Sequence, residues 1–280
     1  MAIKEILLPL VGEPSSAALR AIDKCIAVAG GLGARIIAIA VEEEIPLRPK
    51  VVISADIENA EAIAAERSVS NARGLLKAFG ASANRLAVRN EQRLTRLALA
   101  EVPWSFVAPA RVVDLAMFTV KPHDSRSEEI VERLIFESGR PILICPEENA
   151  GGLPVAFHRI AIAWDHTAPA ARAVADALPL LEQAADVRII TATDEKSQAQ
   201  LESAAAMAAH LAEHRITATF EAIKIEGSSI GKVFEAYVKN NAIDLLVMGA
   251  YRHSRLSQVV WGGATKTVIG QPPGWVMMSR

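Results

Sequence analysis

Cysteine is nearly absent from this 280-residue chain, occurring only as Cys25 and Cys145, and neither has a second thiol or histidine at metal-ligand spacing. That excludes a disulfide framework and a structural zinc site, and leaves both residues as small buried hydrophobes suited to a reducing cytoplasm. An excess of either charge is also missing. The formal net charge is -2, with acids and bases mixed along the whole length, so no basic stripe is available to neutralise a nucleic-acid backbone. Hydrophobic residues reach 51%, yet the apolar runs are interrupted, as Arg35 interrupts the one between Cys25 and Val41. No segment is long enough to span a bilayer. The first residues pass straight into Ile6-Leu7-Leu8 without the basic, apolar and small-residue regions of a secretory leader, which makes the cytoplasm the expected location.

What the chain does contain is a repeat. Its length suits two domains, each able to bury its own core. Ile6-Leu7-Leu8-Pro9-Leu10 and Ile160-Ala161-Ile162-Ala163-Trp164 are short apolar runs without alternation, the pattern of strands buried on both faces. Helix-start signals follow each: Glu13-Pro14-Ser15-Ser16 before a periodic stretch to Gly30, and Thr167-Ala168-Pro169 before one to Leu181. Second strands come at 35–41 and 187–192, Ala-rich helices at 59–79 and 197–214, and third strands ending at Glu101 and Glu226. Fourth strands at 113–117 and 243–248 and proline-led final strands at 141–145 and 273–278 complete the parallel. Strands alternating with helices predict an α/β fold of two tandem, open, doubly wound parallel-sheet domains of Rossmann-like type. The expected domains are 1–148 and 155–280, joined at Glu147-Glu148-Asn149-Ala150-Gly151-Gly152-Leu153-Pro154.

In open α/β sheets ligands bind beyond the carboxyl ends of strands, where the winding reverses. In the second half that place is filled by Gly249-Ala250-Tyr251-Arg252-His253-Ser254-Arg255-Leu256, followed by Gly262-Gly263-Ala264-Thr265 at the start of a helix. Glycines let backbone amides approach phosphate oxygens, and a helix N-terminus offers unpaired N–H groups. Asp165, at the end of the first strand, is expected across the same crevice, in reach of a sugar hydroxyl.

The run Asp244-Leu245-Leu246-Val247-Met248-Gly249, the glycine loop and the proline-led last strand resemble the universal stress protein family, here in tandem. Nucleotide-binding members carry glycine, two residues, glycine, nine residues, glycine, then serine or threonine. The resemblance implies an adenine nucleotide, ATP with Mg, as ligand. The candidate site residues are Asp165, Ala192, Gly249, Arg252, His253, Gly262, Gly263, Ala264 and Thr265. Gly249 matches the first motif glycine and Gly262 the third, while Arg252 replaces the second and Gly263 replaces the hydroxyl residue. Arg252 either fills the phosphate space or reaches an anion with its forked guanidinium, and is strained if the backbone there needs a positive φ. In the first half Phe118-Thr119-Val120-Lys121-Pro122-His123 replaces the loop and Val11 replaces the aspartate, so that half is expected to be structural and to pair with the second through the final strands.

Three patterns compete. Gly227-Ser228-Ser229-Ile230-Gly231, with Asp244 and His253 following, matches a serine-hydrolase elbow, against a plainer reading of Ser229 as a helix cap. His210 and His214, four apart in His210-Leu211-Ala212-Glu213-His214, share a helix face as zinc ligands would, against a solvated helix end. Trp164, Trp261 and Trp275 read as packing anchors and His166 as a loop residue beside the crevice. No nucleophile, base and metal converge, so an enzyme is not expected, at most a very slow ATPase. The expected function is a stress-response protein that binds adenine nucleotide and a protein partner or further copies of itself. The alternative is a tandem scaffold without ligand.

Overall fold

A computed structural model of the chain describes residues 2–44, 55–148, 155–194, 198–255, 258–261 and 263–280. The first half runs β1 (Glu5–Leu10), α1 (Ser16–Gly31), β2 (Arg35–Glu44), α2 (Ala55–Arg85), β3 (Asn90–Ala98), two short helices α3 (Val102–Ser105) and α4 (Val107–Ala110), β4 (Leu115–Val120), α5 (Ser125–Glu137) and β5 (Ile142–Pro146). The second runs β6 (Arg159–Ala163), α6 (Ala168–Leu181), β7 (Asp186–Ala192), α7 (Gln198–Glu213), β8 (Ala218–Ile223), α8 (Ile230–Asn240) and β9 (Leu245–Gly249). It ends with β10 (Arg252–Arg255), β11 (Gln258–Trp261), α9 (Gly263–Gly270) and β12 (Trp275–Ser279). The helix starts are chemically marked as the sequence implies. Ser15 accepts from Ala18 N at 3.1 Å, and Thr167 from Ala170 N at 3.4 Å, each satisfying an N–H that has no partner inside the helix.

Ten strands form one sheet in the order β3-β2-β1-β4-β5-β12-β9-β6-β7-β8, parallel within each half. The halves meet at β5 and β12, which run antiparallel with Met277 opposite Leu143 and Val276 opposite Ile144. The final strands therefore do join the halves, and the second half repeats the first in mirror order across that seam. Alternate strand residues feed two apolar layers. Ile6, Leu8 and Leu10 face α1 and α2, while Leu7 faces α5, so strands without polar alternation are explained by helices covering both sides. Both layers run through both halves.

Two smaller features repeat as well. Asp114 accepts from Lys4 N at 2.8 Å and from Glu5 N at 3.0 Å, and Asp244 accepts from Arg159 N at 2.8 Å, so each carboxylate ties the start of the first strand to the start of the fourth. After each first strand one residue takes left-handed backbone: Gly12 at φ +86° and His166 at φ +63°. Tertiary packing also gives the cysteines what the sequence did not show. Cys25 and Cys145 lie buried in one cluster, and burial, followed by the hydrogen bond of the Cys145 thiol to Cys25, raises the Cys145 thiol, so the pair is an inert hydrophobic contact.

Candidate functional site

Strand order places the reversal of winding between β6 and β9. There β6 delivers Trp164 and Asp165, β7 delivers Thr191 and Ala192, β9 delivers Gly249 and Tyr251, and α9 begins with Gly263, Ala264 and Thr265. These residues line one crevice of about 340 Å³, whose apolar walls include Trp164, Ile190, Phe234 and Met248. Of the nine residues predicted from sequence, Asp165, Ala192, Gly249, Gly263, Ala264 and Thr265 come together in it. The side chains of Arg252 and His253, and Gly262 altogether, lie outside the described residues.

The segment after Gly249 differs from the expected open loop. Arg252–Arg255 and Gln258–Trp261 pair as an antiparallel ribbon, with Arg252 opposite Trp261. Val259, Val260 and Trp261 are strand formers and no glycine interrupts the ribbon, so local propensity favours extended backbone. Arg252 is thereby held in a conformation natural to an L-residue, and no positive φ strains it.

Each crevice residue has an identifiable local reason. A Cβ built on Gly249 meets Ala170 N at 2.5 Å, Pro169 C at 2.7 Å and Pro169 Cβ at 2.9 Å, so glycine is required there by the close approach of α6. A Cβ on Gly263 meets nothing within 4 Å. Thr265 is fully buried and its hydroxyl accepts from Tyr251 N at 3.1 Å, fixing the exit of β9 to α9. Trp164 Nε1 donates to Ser203 Oγ at 2.9 Å and Thr191 Oγ1 donates to the Trp164 carbonyl at 2.8 Å, which anchors the crevice floor to α7 and β7.

Asp165 is engaged by three donors of its own chain. Its Oδ1 accepts from Thr167 Oγ1 at 2.6 Å and from Thr167 N at 3.2 Å, and its Oδ2 accepts from the Tyr251 hydroxyl at 2.7 Å. The Tyr251 hydroxyl also contacts that of Thr167. Burial, then the hydrogen bond to Asp165, then its negative charge, raise the Tyr251 phenol above its ordinary value, so it remains a neutral donor. Tyr251 is the functional candidate that sequence reasoning missed, because only folding brings β9 against the turn that leaves β6. Its position two residues beyond Gly249 was the available signal.

The first half has a corresponding crevice of about 280 Å³ at Val11, Gly12 and Val41. It is crossed by its own ion pairs, Arg67 with Glu13 and Arg126 with Glu43. The helix that faces it, α5, is capped by Asp124, which accepts from Ser127 N at 3.0 Å and Ser127 Oγ at 2.5 Å. A carboxylate already occupies the place that an anion would take.

The rival patterns do not assemble. Ser229 accepts from Lys232 N at 3.4 Å as the cap of α8, and Asp244 sits at the starting end of β9, a strand length away from the crevice, tied to Arg159 N. His210 and His214 stack edge to face at 5.0 Å, and among the described residues no three histidine, cysteine or carboxylate side chains converge for a metal. His166 is exposed, while Trp275 packs edge to face on Phe157 at 5.5 Å. Among the described residues no helix is long and apolar enough to cross a membrane. A cavity of about 830 Å³ borders the seam near Phe157 and Trp275, but no predicted site residue lines it.

Comparison with known proteins agrees with the architecture. A universal stress protein from Archaeoglobus fulgidus has a similar structure, with TM-score 0.65 and 15% identity over 99% of this chain and 96% of its own. A functionally unknown protein from Pseudomonas aeruginosa matches with TM-score 0.60 and 12% identity over 99% of this chain and 92% of its own. A shorter Archaeoglobus fulgidus universal stress protein, solved in complex with dAMP, covers 51% of this chain and 98% of its own at 14% identity and TM-score 0.34. At these identities the two likenesses that span 99% of this chain establish the fold alone. No curated protein matches the sequence. The universal stress protein family model matches residues 156–280, the half that holds the Asp165 crevice. Over those residues the chain is similar to the universal stress protein family.

Proposed function

We propose that domain 155–280 binds an adenine nucleotide, ATP with Mg, in the Asp165 crevice, and that domain 1–148 is a structural partner fused to it. The observation that carries this reading is the crevice itself. It is an apolar slot of about 340 Å³ at the reversal of winding, with Asp165 at one side and the first turn of α9 at the other. Its volume falls in the range of small-molecule sites, and its few polar groups stand where a sugar and an anion would need them. The base packs between Phe234 and Ile190, the sugar faces Asp165, and phosphates approach the amides of Gly263 and Ala264. With no nucleophile and base beside that anion position among the described residues, the nucleotide acts as a bound signal, and the output is contact with a protein partner or with further copies in the cytoplasm.

Isothermal titration calorimetry of the full chain with ATP and Mg tests the reading. Saturable binding below millimolar concentration is expected; absence of binding at millimolar ATP overturns it. Gly263→Ser places a hydroxyl in open space beside the phosphate position and is expected to tighten binding. A ligand-free scaffold is the second reading, favoured by Asp165 being engaged by Tyr251 and Thr167. Replacing Arg252 by glycine separates the two, because ATP binding present only in the variant identifies the native chain as the scaffold.

A further inference from the structure

Carboxylate oxygens have a limited number of acceptor directions, and Asp165 has spent most of them. An ionised carboxylate offers about four. Thr167 N and Thr167 Oγ1 take two on Oδ1, and the Tyr251 hydroxyl takes one on Oδ2. One direction remains. Both Thr167 donors belong to the turn that starts α6, whose cap is Thr167 itself, so they are fixed by the fold. Tyr251, two residues beyond β9, reaches Asp165 within the lining of the crevice, and its own backbone N–H is pinned to Thr265 Oγ1. The phenol is therefore held in place from both ends.

We infer that Tyr251 sets the sugar selectivity of the crevice: by occupying Oδ2 of Asp165 it leaves room for a single hydroxyl donor, so ribose and 2′-deoxyribose are accepted alike. The inference rests on the nucleotide reading above and adds to it a ligand class and the residue responsible. A cis-diol donates two hydrogen bonds, and a carboxylate with two free directions rewards the second. Here the second hydroxyl finds the phenol oxygen, which has already donated its proton and is a weak, neutral acceptor. Removing the phenol oxygen should free the second direction and turn Asp165 into a diol reader.

The test measures affinities of the full chain and of Tyr251→Phe for ATP, 2′-deoxy-ATP and 2′,3′-dideoxy-ATP, each with Mg. The native chain is expected to bind ATP and 2′-deoxy-ATP within twofold of each other and the dideoxy analogue more weakly. Tyr251→Phe is expected to prefer ATP over 2′-deoxy-ATP by about tenfold, the worth of one added hydrogen bond to a charged acceptor. In the Asp165→Asn background the substitution of Tyr251 should create no such preference. The phenylalanine variant removes one oxygen from a half-buried ring, and an unchanged unfolding midpoint confirms its fold. A native chain that already prefers ATP by tenfold, or a Tyr251→Phe variant that binds but gains no preference, overturns the inference and leaves nucleotide binding intact. Absence of binding of all three nucleotides to both proteins overturns the inference and the nucleotide reading together.

Discussion

Gly249→Ala isolates what a motif glycine does in this fold. In the family pattern Gly249 opens the phosphate loop, but in the structure its missing Cβ makes space for the backbone of α6. Ordinary contact begins at 3.4 Å, whereas the new methyl carbon would lie 2.5 Å from Ala170 N and 2.7 Å from Pro169 C, so α6 would have to retreat by about 0.9 Å. Both atoms are backbone, in the first turn of a helix whose Ala170, Ala173, Val174 and Ala177 are buried against the sheet. No rotamer change relieves the clash. Overpacking of well-packed cores costs about 1–3 kcal/mol, and a rigid helix start puts this case at the upper end, about 3 kcal/mol. Urea unfolding followed by circular dichroism should show a lowered midpoint at unchanged slope. Gly263→Ala is the control, because its methyl group meets nothing within 4 Å and should move the midpoint by less than about 0.5 kcal/mol. Equal stability of Gly249→Ala and the native chain would refute the packing argument and return Gly249 to a role in ligand contact alone.

Three further expectations follow from particular contacts. Trp164→Phe removes the donor to Ser203 Oγ and leaves a buried hydroxyl without its partner, which should cost about 1–3 kcal/mol in chemical unfolding; an unaltered midpoint would contradict it. Burial, opposed in part by Lys121, raises the Glu147 carboxyl, so its charged form is disfavoured in the folded chain. Its contribution is most favourable below the unfolded value and is lost as pH rises from there through the raised folded value. Glu147→Gln should therefore gain stability relative to the native chain between pH 4 and pH 7, and a constant difference in melting temperature across that range would refute the assignment. Residues 155–280 expressed alone expose β12, with Val276, Met277 and Met278, as a free apolar edge, and should self-associate through it; a stable monomer by light scattering would count against the seam as the force joining the halves.

The repeat, the strand and helix order and the two-sided burial of the strands were legible in the residues, because apolar runs without alternation, cap residues and turn signals act over a few neighbouring positions. Thr167 as a helix start and Ser229 as a cap were readable for the same reason. The position of the crevice followed from the winding rule once two doubly wound halves were recognised, and six of its predicted residues lie in it. What only folding decided were contacts between segments distant in the chain. Tyr251 meets Asp165 because β9 is threaded beside β6, and nothing local to either residue announces that. Gly249 owes its identity to α6, and Cys25 meets Cys145 because α1 packs over β5. The ribbon after Gly249 was hidden by expecting a glycine motif there, whereas Val259, Val260 and Trp261 favour extended backbone and pair with Arg252–Arg255. Local chemistry wrote the elements and their order; the meeting of side chains across the sheet, which sets the donors and acceptors of the crevice, was fixed by strand order, since pairing across long chain separations depends on the whole assembled core.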